Sequence, residues 1–251
     1  PVQDGHVACF PPRHPSGASD ILLELERYDG PERRVGGLLR FLAADPELRS
    51  AALPRSQTSL VLLANGRGGM ARMQVDLGAV RSKYDCLLGA NLDPKVPVDR
   101  HVFVKRLRAW VNADGFITPL NLDNLLAFDP GPPAHWRFVA NAGDGRAVEI
   151  HLIADLLENQ NTFLLQFVRP EQQRGVSRLG RPLEPEARVT LGVRLDLEDR
   201  SFHWETKRNS GAEHFFSNAI QPIRHNPGRV GEGHDGFLFT PSPDRRLRVW
   251  A

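Results

Sequence analysis

Paired carboxylates are the side chains that would carry the most demanding chemistry in this chain. Glycosidases hold two carboxyl groups about 5–9.5 Å apart across the bond that they cleave. Glu205 and Glu213 flank an irregular, polar stretch and could be imagined as such a pair. Spacing within a loop does not set that distance, however, and solvated surface acids are the norm. The sequence therefore predicts no catalytic residue.

Histidine and cysteine offer no ligand set for a metal ion. Four histidines lie in the last third of the chain: His203, His214, His225 and His234. No two of them have the spacing of ligands on a helix face or of Cys/His zinc sites. Cys86 lies in an apolar run, where a thiol packs as a small hydrophobic side chain. We expect no metal ion and no cofactor.

The segment Asn-Gly-Arg-Gly-Gly at 65–69, here called the glycine turn, follows a short apolar run. Glycines at this density predict a tight turn with positive φ angles. The turn is not a phosphate loop, because no Lys-Ser/Thr follows and no helical pattern starts there. The alternative is a turn that presents Arg67 or backbone N–H groups to a sugar or to a neighbouring domain.

Tryptophan rings are the candidates for stacking on the apolar face of a sugar. The chain has four: Trp110, Trp136, Trp204 and Trp250. We expect core or interface packing for each of them, because large aromatic side chains dominate buried contacts. Trp136, which follows the turn-rich segment 130–133, is the candidate for a sugar platform.

Composition excludes several classes of partner. Lys and Arg number 32 against 30 Asp and Glu, so the formal net charge is +2. We see no basic patch of the kind that binds nucleic acid, no apolar run near the ~20 residues of a membrane helix and no signal-like start. We expect a cytoplasmic protein. Residues 247–250 have the pattern of a strand, and no turn or tail follows them. This pattern predicts that the chain is cut from a longer one.

Short strands joined by turn signals fill most of the chain. Asp114-Gly115 and Gly143-Asp144-Gly145 predict hairpin turns, and a third hairpin is expected around 198–200. Strands are predicted at 59–64, 70–80, 84–90, 101–111, 116–120, 135–140, 146–155, 162–168, 189–197, 201–206, 236–240 and 247–250. Long loops are predicted at 169–188 and 207–234. This pattern favours an all-β sandwich or barrel.

The first 56 residues differ from the rest. Residues 21–28 alternate as a half-buried strand does. Asp45 and Pro46 predict the start of a short helix that ends near Leu53, before Pro54. We therefore divide the chain into an N-terminal extension at 1–56, packed on the rest, and a β-sandwich domain at 57–251.

The run LVLLANGRGGMARMQVDLGAVRSKYDCLL at 60–88 resembles the opening of bacterial and archaeal glycogen debranching enzymes. Asn65 and the three glycines match that family's glycine turn. A second block is matched by Arg81, Tyr84, Leu87 and Leu88. Further residues of the family pattern, among them Asp114-Gly115 and Trp136, follow in the same order as in those enzymes. The resemblance covers about 58–170 well and 171–251 loosely.

The resemblance implies a large antiparallel β-supersandwich, like that of galactose mutarotase, with one or two short helices. In that family the sandwich precedes an (α/α)6 barrel, which carries the two acids that hydrolyse α-1,6 branch points of an α-glucan. It implies five candidate carbohydrate-binding residues here: Asn65, Arg67, Arg81, Tyr84 and Trp136. The chain departs from the family pattern at Tyr84-Asp85-Cys86, where the family has Tyr-His-Gly.

Two alternatives stay open beside that interpretation. The chain could be an independent carbohydrate-binding module, in which case an exposed tryptophan should carry the affinity. It could also be a mutarotase-like enzyme, which needs a histidine and a carboxylate within hydrogen-bond reach of each other. The sequence does not identify that pair.

Overall fold

A computed structural model describes residues 19–26, 34–41, 60–93, 95–96, 99–173, 175–176, 180–207, 209–224 and 235–251, with the first two ranges described as backbone strands only. The strands are β1 (Ser19–Glu26), β2 (Arg34–Phe41), β3 (Leu60–Ala64), β4 (Met70–Gln74), β5 (Cys86–Asn91), β6 (Arg100–Ala113), β7 (Phe116–Pro119), β8 (Leu125–Asp129), β9 (Ala134–Asn141), β10 (Arg146–Leu156), β11 (Phe163–Val168), β12 (Arg181–Pro182), β13 (Val189–Ser201), β14 (Ile220–Ile223), β15 (Gly236–Ser242) and β16 (Arg245–Trp250). One α-helix, α1 (Ser210–Asn218), and a 3-10 helix (Leu122–Asn124) complete the described elements.

Most of these strands form two sheets. The first has the order β13-β6-β5-β4-β3, with β7 also paired to β6, and every pairing is antiparallel. The second has the order β11-β10-β9-β8, again antiparallel, with the short β12 parallel to β10. A third sheet has the order β14-β15-β16, and β1 pairs with β2 in a separate hairpin.

The core lies between the first two sheets and contains side chains from both. Strand β9 shows why: Ala134, Trp136, Phe138 and Ala140 are buried, and the residues between them are only half-buried. This period of two places alternate side chains on the same face of a strand. The indole Nε1 of Trp136 donates to the carbonyl oxygen of Val75 at 3.0 Å, which ties the two sheets together.

The antiparallel two-layer β-sandwich predicted from the sequence is confirmed. The predicted turns at Asp114-Gly115 and Asp144-Gly145 are also confirmed, because both residues of each pair have positive φ angles, between 52° and 86°. The predicted N-terminal strand is present as β1, paired with β2. The predicted helix at 46–53 lies outside the described residues. No helix in the described part of the chain is long and apolar enough to span a membrane.

Two predictions about the C-terminal half are wrong. No hairpin turn occurs at 198–200, because β13 continues through this segment to Ser201 with register shifts against β6, and the predicted return strand at 201–206 is absent. The polar side chains that suggested a turn are buried there: Glu198 and Arg200 form an ion pair. The predicted loop at 207–234 contains α1, which Asn209 caps by accepting a hydrogen bond from the N–H of Ala212 at 2.8 Å.

Candidate functional site

The glycine turn is held by a buried asparagine. Oδ1 of Asn65 accepts hydrogen bonds from the N–H groups of Arg67 (3.1 Å) and Gly69 (2.8 Å). Its Nδ2 donates to the carbonyl oxygen of Gln160 at 2.8 Å and approaches Oδ1 of Asn161 at 3.3 Å. Because both ends of its amide are engaged, Asn65 stabilises the turn and links it to the loop before β11.

A second pair of asparagines extends this link to the end of β5. Nδ2 of Asn161 donates to the carbonyl oxygen of Asn91 at 2.6 Å. Nδ2 of Asn91 donates in turn to the carbonyl oxygen of Arg67 at 2.8 Å. Nη1 of Arg67 lies 3.2 Å from the carbonyl oxygen of Asn159, which it binds. Loops from both sheets therefore meet at one end of the sandwich.

Asp85 is also a structural residue. Its carboxylate is buried and pairs with Arg72. Oδ2 accepts from Nε2 of Gln74 (3.1 Å) and from the N–H groups of Arg81 (2.7 Å) and Ser82 (3.1 Å). These bonds fix the turn that places Arg81, whose side chain is exposed, and Tyr84.

Tyr84 belongs to a group of rings on the outer side of the first sheet. Its ring centroid lies 5.0 Å from that of Phe202 and 5.9 Å from that of His203, which it meets edge-on. Trp204 follows immediately and is 69% exposed. We call Tyr84, Phe202, His203 and Trp204 the aromatic surface. Phe202 is its buried floor, and the other three residues are open to solvent to different degrees.

One buried guanidinium organises the backbone beneath these rings. Arg200 is 1% exposed and pairs with Glu198. Its Nη1 donates to the carbonyl oxygens of Phe202 (3.2 Å) and Trp204 (2.9 Å), and its Nη2 donates to the carbonyl oxygen of Lys83 (2.7 Å). Arg200 thus joins the end of β13 to the turn that carries Tyr84.

Arg100 connects the glycine turn to the aromatic surface. Its Nε donates to the carbonyl oxygen of Gly68 at 2.5 Å, and its guanidinium lies 5.8 Å from the centre of the Phe202 ring. Of the five predicted site residues, the structure therefore brings four into one connected region: Asn65, Arg67, Tyr84 and, on the same turn as Tyr84, Arg81. Sequence reasoning missed Arg100, Arg200 and the segment after β13, since no local pattern places them beside Tyr84.

Trp136 lies elsewhere. Its side chain is completely buried in the core between the two sheets, where it packs on Phe128 with a centroid distance of 4.9 Å. Neither face of the indole is open to a ligand in this arrangement. Trp136 therefore shows the core packing that was expected for the tryptophans, and its hydrogen bond to Val75 links the two sheets.

A histidine and a carboxylate do meet on the outer face of the second sheet. Nε2 of His151 lies 2.9 Å from Oε1 of Glu149. The same carboxylate accepts two hydrogen bonds from Arg137 and one from the N–H of Gly175 at 2.8 Å. Burial alone would raise the pKa of Glu149, but the hydrogen bonds from His151, Arg137 and Gly175 outweigh it and lower the pKa. The carboxylate is therefore held ionised and fully engaged.

His135 lies beside this pair. Its ring centroid is 4.9 Å from that of His151. Burial, and then the charges of His151 and Arg137, lower the pKa of His135. Within the described residues, no three His, Cys, Asp or Glu side chains are grouped so as to hold a metal ion. His225 and His234, two of the histidines considered from the sequence, lie outside those residues.

An apolar cavity of about 410 Å³ is lined mainly by β5, β11 and β16, with β6 and Leu195 of β13 completing its wall. Its lining is mainly aliphatic and aromatic, and includes Leu88, Phe103, Phe163, Leu165, Leu195 and Leu247. Exposed apolar side chains lie on β11, β13 and β16: Leu164, Leu191, Val193 and Trp250. The apolar side chains of the two facing sheets are thus more exposed to solvent here than at the centre of the core.

Comparison with known proteins identifies a family. Residues 60–247 match the model of a family described as glycogen debranching enzyme N terminal. The matched range begins at the first residue of β3 and ends within β16, so it contains both facing sheets and the third sheet. No curated protein and no solved structure matches the chain at a significant level.

Proposed function

Because the chain belongs to the glycogen debranching enzyme N-terminal family, we propose that it is the non-catalytic β-sandwich domain of an α-1,6-glucosidase. In this proposal it supports an (α/α)6 catalytic barrel and contributes to the binding of an α-glucan. The match over 60–247 is the observation that carries the proposal, since it includes the whole two-sheet sandwich and not a single motif.

The states of the acidic residues support a non-catalytic role. The general acid of a glycosidase needs a raised pKa. Among the described carboxylates with a shifted pKa, Glu149, Asp196, Asp199 and Asp244, every shift is downward. The buried carboxylates Asp85, Glu149 and Glu198 each pair with an arginine. Such ion pairs stabilise the fold and leave these carboxylates engaged by the protein.

The apolar cavity supports the part of the proposal that concerns the barrel. Large contiguous apolar patches on a protein surface mark interaction sites. Leu164, Leu191 and Val193 lie on the two edge strands and are partly open to water. A helical domain that packed here would cover these side chains and the cavity that Leu164 and Leu195 border.

A cytoplasmic location belongs to the same proposal. Cys86 is a free, buried thiol, which suits a compartment where thiols stay reduced.

The proposal is tested by electrophoresis of the chain in native gels that contain glycogen, with cellulose-type β-glucan as the control polysaccharide. We expect glycogen alone to retard the chain. We also expect no release of glucose when the chain is incubated with a glycogen limit dextrin. Absence of retardation would overturn the binding role, and glucose release would overturn the non-catalytic role.

A mutarotase-like activity is the second candidate, and the contact between His151 and Glu149 is the observation that favours it. We rank it second because Glu149 is 1% exposed and its oxygens already accept three other hydrogen bonds, two from Arg137 and one from the N–H of Gly175. Polarimetry of fresh α-D-glucose decides between the two. Mutarotation faster than in buffer, lost in His151→Ala, would establish the second candidate.

A further inference from the structure

We propose that the aromatic surface is where this domain holds an α-glucan chain, with sugar rings stacked on Trp204 and Tyr84. This inference rests on the proposed function and adds to it a location, a set of contacts and the residue that positions them. The sequence named Trp204 among four tryptophans for which core or interface packing was expected, and the structure instead leaves it 69% exposed. Phe202 and Arg200 were not among the candidates.

The chemistry of the exposed rings fits a pyranose. The C–H face of a sugar ring is apolar, and burying it against an aromatic ring removes apolar area from water. Trp204 is 69% exposed, more than any other large hydrophobic side chain in the described residues. The neighbouring His203 is also exposed, and Tyr84 is half-buried on the floor formed by Phe202. The exposed indole of Trp204 follows His203 directly in the chain, and the carbonyl oxygen of Trp204 is held by Arg200, which also binds the turn that carries Tyr84.

The surface is fixed before any ligand binds. The carbonyl oxygens of Lys83 and Trp204 bind the same guanidinium, that of Arg200, at 2.7 and 2.9 Å. The N–H of Trp204 also donates to the carbonyl oxygen of Ser201 at 3.1 Å, which closes a turn. Because the backbone on both sides is already held, binding costs less conformational entropy than it would in a loose loop. Arg200 is the positioning residue of the site.

Polar donors surround the rings. Nζ of Lys83 lies 5.2 Å from the centre of the Tyr84 ring, and the side chain of Arg81 is exposed on the same turn. These groups are donors for sugar hydroxyl oxygens. Ligand sites commonly combine an apolar platform with a few such polar groups. Since a glucan is neutral, we expect its affinity to change little between low and moderate salt.

The apolar cavity is a poorer candidate for the same ligand. Leucine, phenylalanine and valine side chains make up most of its lining. A glucan placed there would leave many hydroxyl groups without partners, and unpaired buried polar groups cost free energy. Trp250, which is 52% exposed and borders that cavity, therefore serves as a matched control for Trp204.

The test is a titration of the full chain with maltoheptaose by isothermal calorimetry, together with glycogen-gel electrophoresis. We expect Trp204→Ala to weaken binding at least about tenfold, an effect of the size that one aromatic contact supplies. Trp250→Ala should bind as the wild type does. Circular dichroism confirms that both variants fold, which is expected because each side chain is largely exposed.

Two results overturn the inference, and they differ in what they say about the proposed function. If the wild type, Trp204→Ala and Tyr84→Ala all bind maltoheptaose equally, the domain binds glucan at another place and the proposed function survives. If the wild type itself binds neither maltoheptaose nor glycogen, the glucan-binding part of the proposed function fails as well.

Discussion

At the scale of single residues, buried charged side chains hold several turns and strand ends of this structure in place. Asp85 accepts hydrogen bonds from Gln74, Arg81 and Ser82 in addition to its pair with Arg72. Such a carboxylate is costly to remove, because its partners lose the acceptor that satisfied them.

We expect Asp85→Ala to lower the free energy of unfolding by about 3 kcal/mol, near the low end for breaking a buried pair because Arg72 retains some access to water. Asp85→Asn, which keeps an acceptor but loses the charge, should cost less. Urea denaturation of both variants measures the difference. Equal stability of Asp85→Ala and the wild type would contradict the role given to this carboxylate.

Cys86 illustrates burial without chemistry. It lies under Met70, Tyr84, Val102 and Phe202, and burial raises the pKa of its thiol to about 11. The reactive thiolate is therefore rare at pH 8. We expect iodoacetamide to leave Cys86 unmodified in the folded chain and to modify it in urea. Peptide mapping separates this cysteine from Cys9, and rapid labelling of Cys86 without urea would contradict its burial.

At the scale of elements, the third sheet is tied to the first by an ion pair. Arg245 of β16 binds Asp199 of β13 through Nε (2.9 Å) and Nη2 (3.1 Å), and Nε2 of His101 lies 2.5 Å from the same carboxylate. Burial alone would raise the pKa of Asp199, but the hydrogen bonds from Arg245 and His101 outweigh it and lower the pKa.

The ion pair between Arg245 and Asp199 predicts that the stability of the chain depends on pH. The pKa of Asp199 is lower in the folded chain than its ordinary value, 3.8. Its ion pair therefore stabilises the fold fully above pH 3.8, and this stabilisation is lost as the pH falls through the pKa of the folded state. We expect Asp199→Asn to cost about 2 kcal/mol at pH 7 and progressively less below pH 4. A cost that is the same at pH 7 and pH 3 would show that the charge of Asp199 is not responsible.

Element boundaries show what the sequence could and could not predict. The turn at Asp114-Gly115 was predicted because its positive φ angles, 52° and 86°, depend on local residue types. Strand β13 was divided wrongly at 198–200, because Glu198 and Arg200 find their partners in β6 and in the turn at Lys83, far away in sequence. The helix α1 was missed, although Asn209 is a typical N-cap.

At the scale of the whole molecule, the sandwich brings together residues that the sequence separates. The all-β fold class and the family could be predicted from residues 60–88 and from the order of the family-like segments that follow them. The family match over residues 60–247 agrees with that prediction. The aromatic surface was not predictable beyond Tyr84, because the end of β13 reaches the turn at 81–85 only through the pairing of β13 with β6 and β6 with β5. Trp136 shows the reverse case, since a residue in a recognisable block proves to be core.

The most direct test of a glucan-binding, non-catalytic sandwich is an NMR titration of the ¹⁵N-labelled chain with maltoheptaose. The predicted result is a set of amide shift changes confined to 82–86 and 200–205, with the Trp204 indole N–H among the largest and with no conversion of the sugar. Shift changes that cluster instead around the apolar cavity, or no shift changes at millimolar maltoheptaose, would contradict it.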